Sequence, residues 1–314
     1  MLPAENQSEQ SLHAENRTSD KMNKVINFHE LHDPVWFEKV VVYLKSRYTM
    51  VGSRDLYEYY YNHTPLRNAC LITVDDGHST SYDVIYPVLK KHKVPAIFFV
   101  SPEIAKREEA VNFWFQEIRG YDEDKLEKIA FDFLNMILTS EEGIKSVFDK
   151  TSIDNMWEII SRYRKLYHVE PKAAMNMTVE QIRQIDKEGL VEIGAHTLTH
   201  PFLARETVER SMNEIKGSIS QLEGLLQHPV FTFAYPNGRP VLDFGEREMQ
   251  MLTDTSIKLA FSTRPHNFSM SDDVFAIPRY GLSCGSMNFV KLKLFLGKYY
   301  PLLRCALKIG QKPS

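Results

Sequence analysis

Leu71 to Gly77, read as Leu-Ile-Thr-Val-Asp-Asp-Gly, constrains this chain more than any other stretch. Its run of apolar and β-branched residues reads as a strand covered on both faces, as strands are in a parallel sheet or a barrel. Such folds gather their reactive groups at the C-terminal ends of the strands, and this strand ends in two carboxylates, Asp75 and Asp76. Side chains alternate along an extended chain, so the pair can divide its work, one carboxylate binding a metal and the other staying free as a base. Asp-Gly is also a common turn dipeptide. On this stretch alone a solvated turn and a reactive site are equally compatible.

The same design recurs along the chain. Val25, Ile26 and Phe28 form a short strand that ends at His29. Tyr48–Val51 and Ala96–Val100 read as strands, and Leu190–Gly194 runs into Ala195-His196-Thr197-Leu198-Thr199-His200-Pro201. Phe231–Ala234 stops at the turn sequence Tyr235-Pro236-Asn237-Gly238. Lys258–Ser262 and Val274–Ile277 read as two more strands, the second followed by Pro278-Arg279-Tyr280. Between them the apolar spacing predicts helices from Pro34, from Ser53, over Ser79–Lys91, over Thr178–Lys187, over Glu206–Gln227 and over residues 243 to 253. Strand, helix, strand in this order implies right-handed parallel units.

The alternation breaks between about residues 103 and 175, where the pattern is helical and charged. This is a helical insertion after a strand, placed where a barrel carries its lids. Its aromatics, among them Phe113, Trp114, Phe115, Trp157 and Tyr163, fit an insertion core of their own better than substrate contacts. The predicted organisation is a disordered tail over 1–22, too poor in apolar surface to order, a barrel domain over 23–287 and a basic amphipathic segment over 288–314. That last segment holds Lys291, Lys293, Lys298, Arg304, Lys308 and Lys312 without an acid. It suits either the inner surface of an anionic membrane or a closing helix with its lysines in water.

At 314 residues the chain can bury a large core. A net charge of −3, with no basic stripe interleaved with aromatics in the body of the chain, points away from a nucleic-acid partner. Cys70, Cys284 and Cys305 stand at unrelated spacings and suggest neither a disulfide framework nor a Cys-rich metal site. They fit a reducing compartment. Met1–Asp20 has no apolar core for a secretory signal, so a cytoplasmic location is expected, peripheral to the membrane if the basic segment lies on it rather than closing the barrel.

His196 and His200 are four residues apart, so on a helical turn both imidazoles face one way and can share a metal. A carboxylate brings the protein ligands to three and leaves room for water and substrate, as a catalytic zinc requires. His-x-x-x-His alone is weak. Its place after an apolar strand, like those of Asp75, Asp76 and His29, is stronger, because converging strand ends would bring these groups to one barrel face.

Taken together, Thr73-Val74-Asp75-Asp76-Gly77 and Glu192-Ile193-Gly194-Ala195-His196-Thr197-Leu198-Thr199-His200-Pro201 resemble the first two motifs of the polysaccharide deacetylase family, the NodB homology domain or carbohydrate esterase family four. Phe233-Ala234-Tyr235-Pro236-Asn237-Gly238 is similar to the third, and Val25-Ile26-Asn27-Phe28-His29 resembles the N-terminal strand of the circularly permuted exopolysaccharide-deacetylase branch. The resemblance covers roughly residues 24 to 283 outside the insertion.

It implies an α/β fold, a distorted (β/α) barrel with a helical insertion, and removal of an acetyl group from an N-acetylated sugar. It implies a divalent metal, most often zinc, on Asp76, His196 and His200, with Asp75 as general base and His29 as the acid that protonates the leaving amine. The backbone N–H of Tyr235 would help hold the oxyanion. The substrate class expected is a glycan, or a lipid-linked or nucleotide-linked precursor. Hydrolysis of another C–N bond, in a formamide or cyclic amide, and glycan binding without catalysis are the alternatives.

Two departures stand out. The third motif here lacks the arginine that many members use to orient the base. Arg279 is the candidate substitute, pairing with Asp75, and a purely structural salt bridge is the competing reading. Val74 replaces a phenylalanine, a packing change, and His78 reads as a bystander.

Overall fold

The computed structural model describes residues 23–108, 111–135 and 143–299. The tail expected over 1–22, and the part of the basic segment beyond Tyr299, lie outside them. Among the described residues no helix is long and apolar enough to cross a membrane.

The sheet strands are β1 Lys24–Phe28, β2 Thr49–Met50, β3 Ala69–Val74, β4 Ala96–Val100, β5 Val191–Ala195, β6 Thr232–Ala234, β7 Leu259–Phe261 and β8 Tyr280–Gly281. They pair in parallel in the order β7-β6-β5-β4-β3-β1-β8, with β2 beside β3. Ile277 bridges Phe261 on the β7 edge while Tyr280 pairs with Ile26 on β1. Residues 277 to 281 therefore join the two edges, and the sheet curls into a distorted barrel.

The period-two alternation of the strands sorts side chains into two layers. Val25, Leu71, Ile97, Phe99, Leu259 and Phe261 form one buried cluster inside the barrel. Their neighbours Ile26, Ile72, Val74, Phe98, Ile193 and Phe233 pack outward beneath the helices. Each such side chain contributes about 1.5–3 kcal/mol on burial, so a one-residue slip of any strand would be heavily penalised.

Helix Pro34–Arg47 starts where Asp33 accepts the Trp36 N–H and Pro34 supplies its fixed φ. It buries Trp36, Phe37, Val40, Val41 and Leu44. Between β4 and helix Val179–Glu188 lie helices Pro102–Lys106, Trp114–Glu117, Glu123–Leu134, Ile144–Phe148 and Ile153–Tyr167. They share a core of Trp114, Leu126, Phe131, Phe148 and Ile160, which Phe202 of the barrel enters.

Three local expectations change. No strand covers Val274–Ile277: Asp273 turns the chain by accepting the N–H groups of Phe275 and Ala276, Val274 offers β7 only its carbonyl, and Ile277 alone forms a bridge before Pro278, which has no N–H. The helix over 243–253 shortens to Glu246–Gln250 and continues as single turns. The helix over Ser79–Lys91 opens with a π-turn at Ser81–Ile85.

Candidate active site

Inward-facing positions near the C-terminal ends of β1 and β3 carry Asn27, Thr73 and Asp75. Asp75 is almost fully buried, and Arg279, from the segment that joins the barrel edges, answers it with both arms of its guanidinium. Nη1 reaches Oδ1 at 2.7 Å and Nη2 reaches Oδ2 at 2.9 Å. Asn27 Nδ2 adds a third bond to Oδ2 at 2.9 Å, and Thr73 accepts from Arg279 while donating to Asn27. The rings of Phe99 and Phe261 lie 5.5 and 5.9 Å from the guanidinium carbon. Burial alone would raise the Asp75 carboxyl, but the charge of Arg279, with His196 and His29, outweighs it and holds the group below the usual carboxylate range.

Alternation would turn Asp76 to the outer layer. Its φ of 71° instead swings it back over the strand end, and Gly77 follows at 64°. Asp76 Oδ1 then lies 3.4 Å from His196 Nε2 and 3.4 Å from His200 Nε2, and the three candidate ligand atoms fall within 4.8 Å of one another. His196 Nδ1 donates to the Ala234 carbonyl at 2.7 Å, which leaves Nε2 as the free lone pair.

The two histidines are not on a helical turn as their spacing suggested. Thr197 and His200 take left-handed φ values of 61° and 63°, and the hydroxyl of Thr197 accepts the His200 N–H. Buried Glu214, on helix Val208–Leu226, holds this turn by accepting the N–H groups of Leu198 and Thr199 and the Thr199 hydroxyl. The insertion also reaches the site. Trp114 Nε1 donates to the His200 carbonyl, and the rings of Phe113 and Phe115 stand 5.4 and 5.0 Å from the imidazole. These three aromatics therefore wall a site residue, beyond the insertion core expected for them.

His29 stands at the mouth, half-exposed, with Nε2 at 3.8 Å from Asp75 Oδ2. Beside it a cleft of about 530 Å³ opens between Glu30, Asp33 and the Leu282–Cys284 loop. Tyr235 sits differently from what its expected role needs. Its N–H donates to the Phe261 carbonyl at 3.3 Å, within the β6–β7 pairing, and its side chain stacks on Phe244 in the outer layer. An oxyanion could use that N–H only by drawing it off this long bond.

Residues 62–251 match the profile of the polysaccharide deacetylase family. The chain belongs to that family. A comparison with curated proteins finds no match. Among solved structures, IcaB from Ammonifex degensii superposes with a TM-score of 0.57 at 18% identity, over 87% of this chain and 97% of that one. The deacetylase PplD of Streptococcus pyogenes, in complex with acetate, gives 0.56 at 17% identity over 83% and 92%. A de-N-acetylase from Aggregatibacter actinomycetemcomitans gives 0.55 at 14% identity over 86% and 98%. At these identities the likeness speaks for the fold, a distorted (β/α) barrel; carbohydrate deacetylation is the chemistry of the family. His29 and Arg279 both fall outside the matched segment.

The donor set of this deacetylase suits a divalent cation. Asp76 Oδ1, which faces both Nε2 atoms, is buried without a hydrogen-bond partner. Ligands held tetrahedrally at about 2.0–2.1 Å stand about 3.3–3.4 Å apart, which matches the two 3.4 Å separations at Asp76. Sequence reading missed Asn27 and Glu214. Each carried a signal, a polar residue between apolar ones within a strand and an acid on the buried stripe with Ser211, Ile215, Ser218 and Leu222.

Proposed function

We propose that this chain is a metal-dependent N-deacetylase that hydrolyses the acetamide of an amino sugar, in a glycan or in a lipid-linked or nucleotide-linked precursor. The observation that carries the reading is the pairing of two carboxylates in opposite states. Asp76 stands with an unpartnered oxygen between two imidazole nitrogens, while Asp75 is held in place by Arg279 and Asn27.

Asp76, His196 and His200 would hold the cation, and two imidazoles with one carboxylate are a ligand set that catalytic zinc accepts. When bound there, it would supply Lewis-acid polarisation of the amide carbonyl and acidify the attacking water. Asp75 takes the water's proton. Its Oδ2 already accepts two hydrogen bonds and Oδ1 one, so Oδ1 has the lone pair to spare. His29, reaching the mouth within 3.8 Å of Asp75, protonates the departing nitrogen. The sugar amine leaves on the side of the cleft, and acetate is the other product. The N-terminal place of the His29 strand, outside the matched segment, supports the permuted arrangement of the family.

Asp75→Asn tests the division of labour. Acetate release should fall at least about a hundredfold while the cation stays bound. An unchanged rate would remove Asp75 as the base.

A further inference from the structure

The chain is net acidic, −3 at pH 7, yet one flank of the barrel is basic. Helices Pro34–Arg47, Tyr86–His92 and Met287–Leu296 adjoin there: Lys45 reaches the His92 carbonyl and Lys291 lies over the ring of Tyr43. Glu38 is the only acid on these helices, and Lys91 and His92 already pair with it. Against it stand Lys39, Lys45, Arg47, Lys90, Lys91 and Lys291, all exposed; Lys90 also pairs with Glu188 of the next helix.

Apolar side chains stand among these charges. Met287–Leu296 buries Val290 and Leu294 against the barrel and turns Leu292 and Phe295 outward, Phe295 at 86% exposure. On Pro34–Arg47, Val35, Lys39 and Val42 recur at helical spacing along one outward stripe, and Val35 and Val42 are 59% and 49% exposed. A helix apolar on two faces is built for two partners, and the barrel is only one of them.

We propose that this flank docks the enzyme on an anionic lipid surface, with Phe295, Leu292 and Val42 entering the headgroup layer and the lysines meeting lipid phosphates. Charge complementarity selects an anionic partner. The outward Phe295 and Leu292 select a lipid over a nucleic acid, whose phosphates would use the lysines and leave the leucine in water. A second copy of the same basic face is opposed by like charge. The sequence beyond Tyr299 continues the bias with Arg304, Lys308 and Lys312 and no acid. The proposal deepens the precursor reading above, since a lipid-linked sugar lies at such a surface, but its test reads vesicle binding and is separate from activity.

The full chain should sediment with vesicles containing phosphatidylglycerol and not with vesicles of phosphatidylcholine alone. Leu292→Asp combined with Phe295→Asp should weaken that binding about tenfold or more, as should Lys39→Glu combined with Arg47→Glu. Both variants alter exposed side chains, so their melting curves and acetate release from a soluble substrate should stay unchanged. Absence of binding to anionic vesicles, equal binding to neutral ones, or anionic binding indifferent to either pair of substitutions would each overturn the proposal. So would tight binding of an RNA oligomer by a chain that ignores vesicles.

Discussion

Arg279, fully buried inside the barrel, grips Asp75 with both arms of its guanidinium, at 2.7 and 2.9 Å. The pair spans the closure of the sheet, because Asp75 leaves β3 while Arg279 belongs to the segment that links β7 to β1. One contact thus ties the barrel's last join to the residue proposed as its base.

Arg279→Ala would leave a buried carboxylate without its countercharge, at a cost of about 3–5 kcal/mol. Arg279→Lys keeps a charge but loses the fork and should fall between. Denaturant titration measures both. The acid side of the stability curve gives a second reading. The folded Asp75 carboxyl lies below its ordinary value, so its contribution is present above that value and is lost as pH falls through the folded one. Without Arg279 the loss should begin at higher pH.

Lys24 makes the opposite kind of prediction. Burial pushes its ammonium down from 10.5 to about 8, although it still reaches Asn267 and lies over the ring of Tyr280. Below pH 8 the lysine is charged in both folded and unfolded chains, and the folded state bears the cost. Between pH 8 and 10.5 the unfolded chain holds the extra proton, so stability should rise by about 3 kcal/mol. Urea titrations across that range should show the rise in the native chain relative to Lys24→Met, which removes it.

Gly194 lies where β5 backs onto the barrel interior. A methyl group there would stand 2.6 Å from the Phe99 ring and from Thr232 Oγ1. Gly194→Ala should cost about 1–3 kcal/mol. Phe99 also flanks Arg279 and His196, so the loss of stability measured by denaturation should be accompanied by a slower reaction.

Glu214 works through the turn it holds. With Glu214→Ala, all three hydrogen bonds from Leu198 and Thr199 lose their acceptor. His200 then loses the constraint that aims it at Asp76, and metal affinity should drop about 10–100-fold. Calorimetric titration of the stripped protein with zinc measures this without any substrate.

Much of the barrel was legible because strands buried on both faces write themselves as continuous apolar runs. The same pattern marked Asp75, His29 and His196 as groups at strand ends, and the structure gathers them at one mouth of the barrel. Less legible was how the chain turns there. Asp76, Thr197 and His200 adopt left-handed φ values without being glycines, and such strain leaves no mark in composition. The His-x-x-x-His spacing therefore suggested a helix, whereas a strained turn pinned from outside brings the rings together.

Contacts between distant segments were the other blind spot. Glu214 reads locally as one more residue of an amphipathic helix, and only the fold shows it beneath the histidine turn. The Val274–Ile277 run read as a strand by its apolar content, while Asp273 and Pro278 break its pairing and shift the last strand to Tyr280–Gly281. Tyr235 followed from motif position alone, and its N–H is already engaged with the neighbouring strand.

The most direct measurement is acetate release by the purified chain from a panel of polymeric, lipid-linked and nucleotide-linked N-acetyl amino sugars, before and after chelation and again after zinc is restored. Release from at least one class that stops with chelator, returns with zinc and is absent in His196→Ala is the expected result. Release that persists undiminished in the stripped protein, or no release from any class with zinc bound, would contradict the assignment of Asp76, His196 and His200 to a catalytic metal.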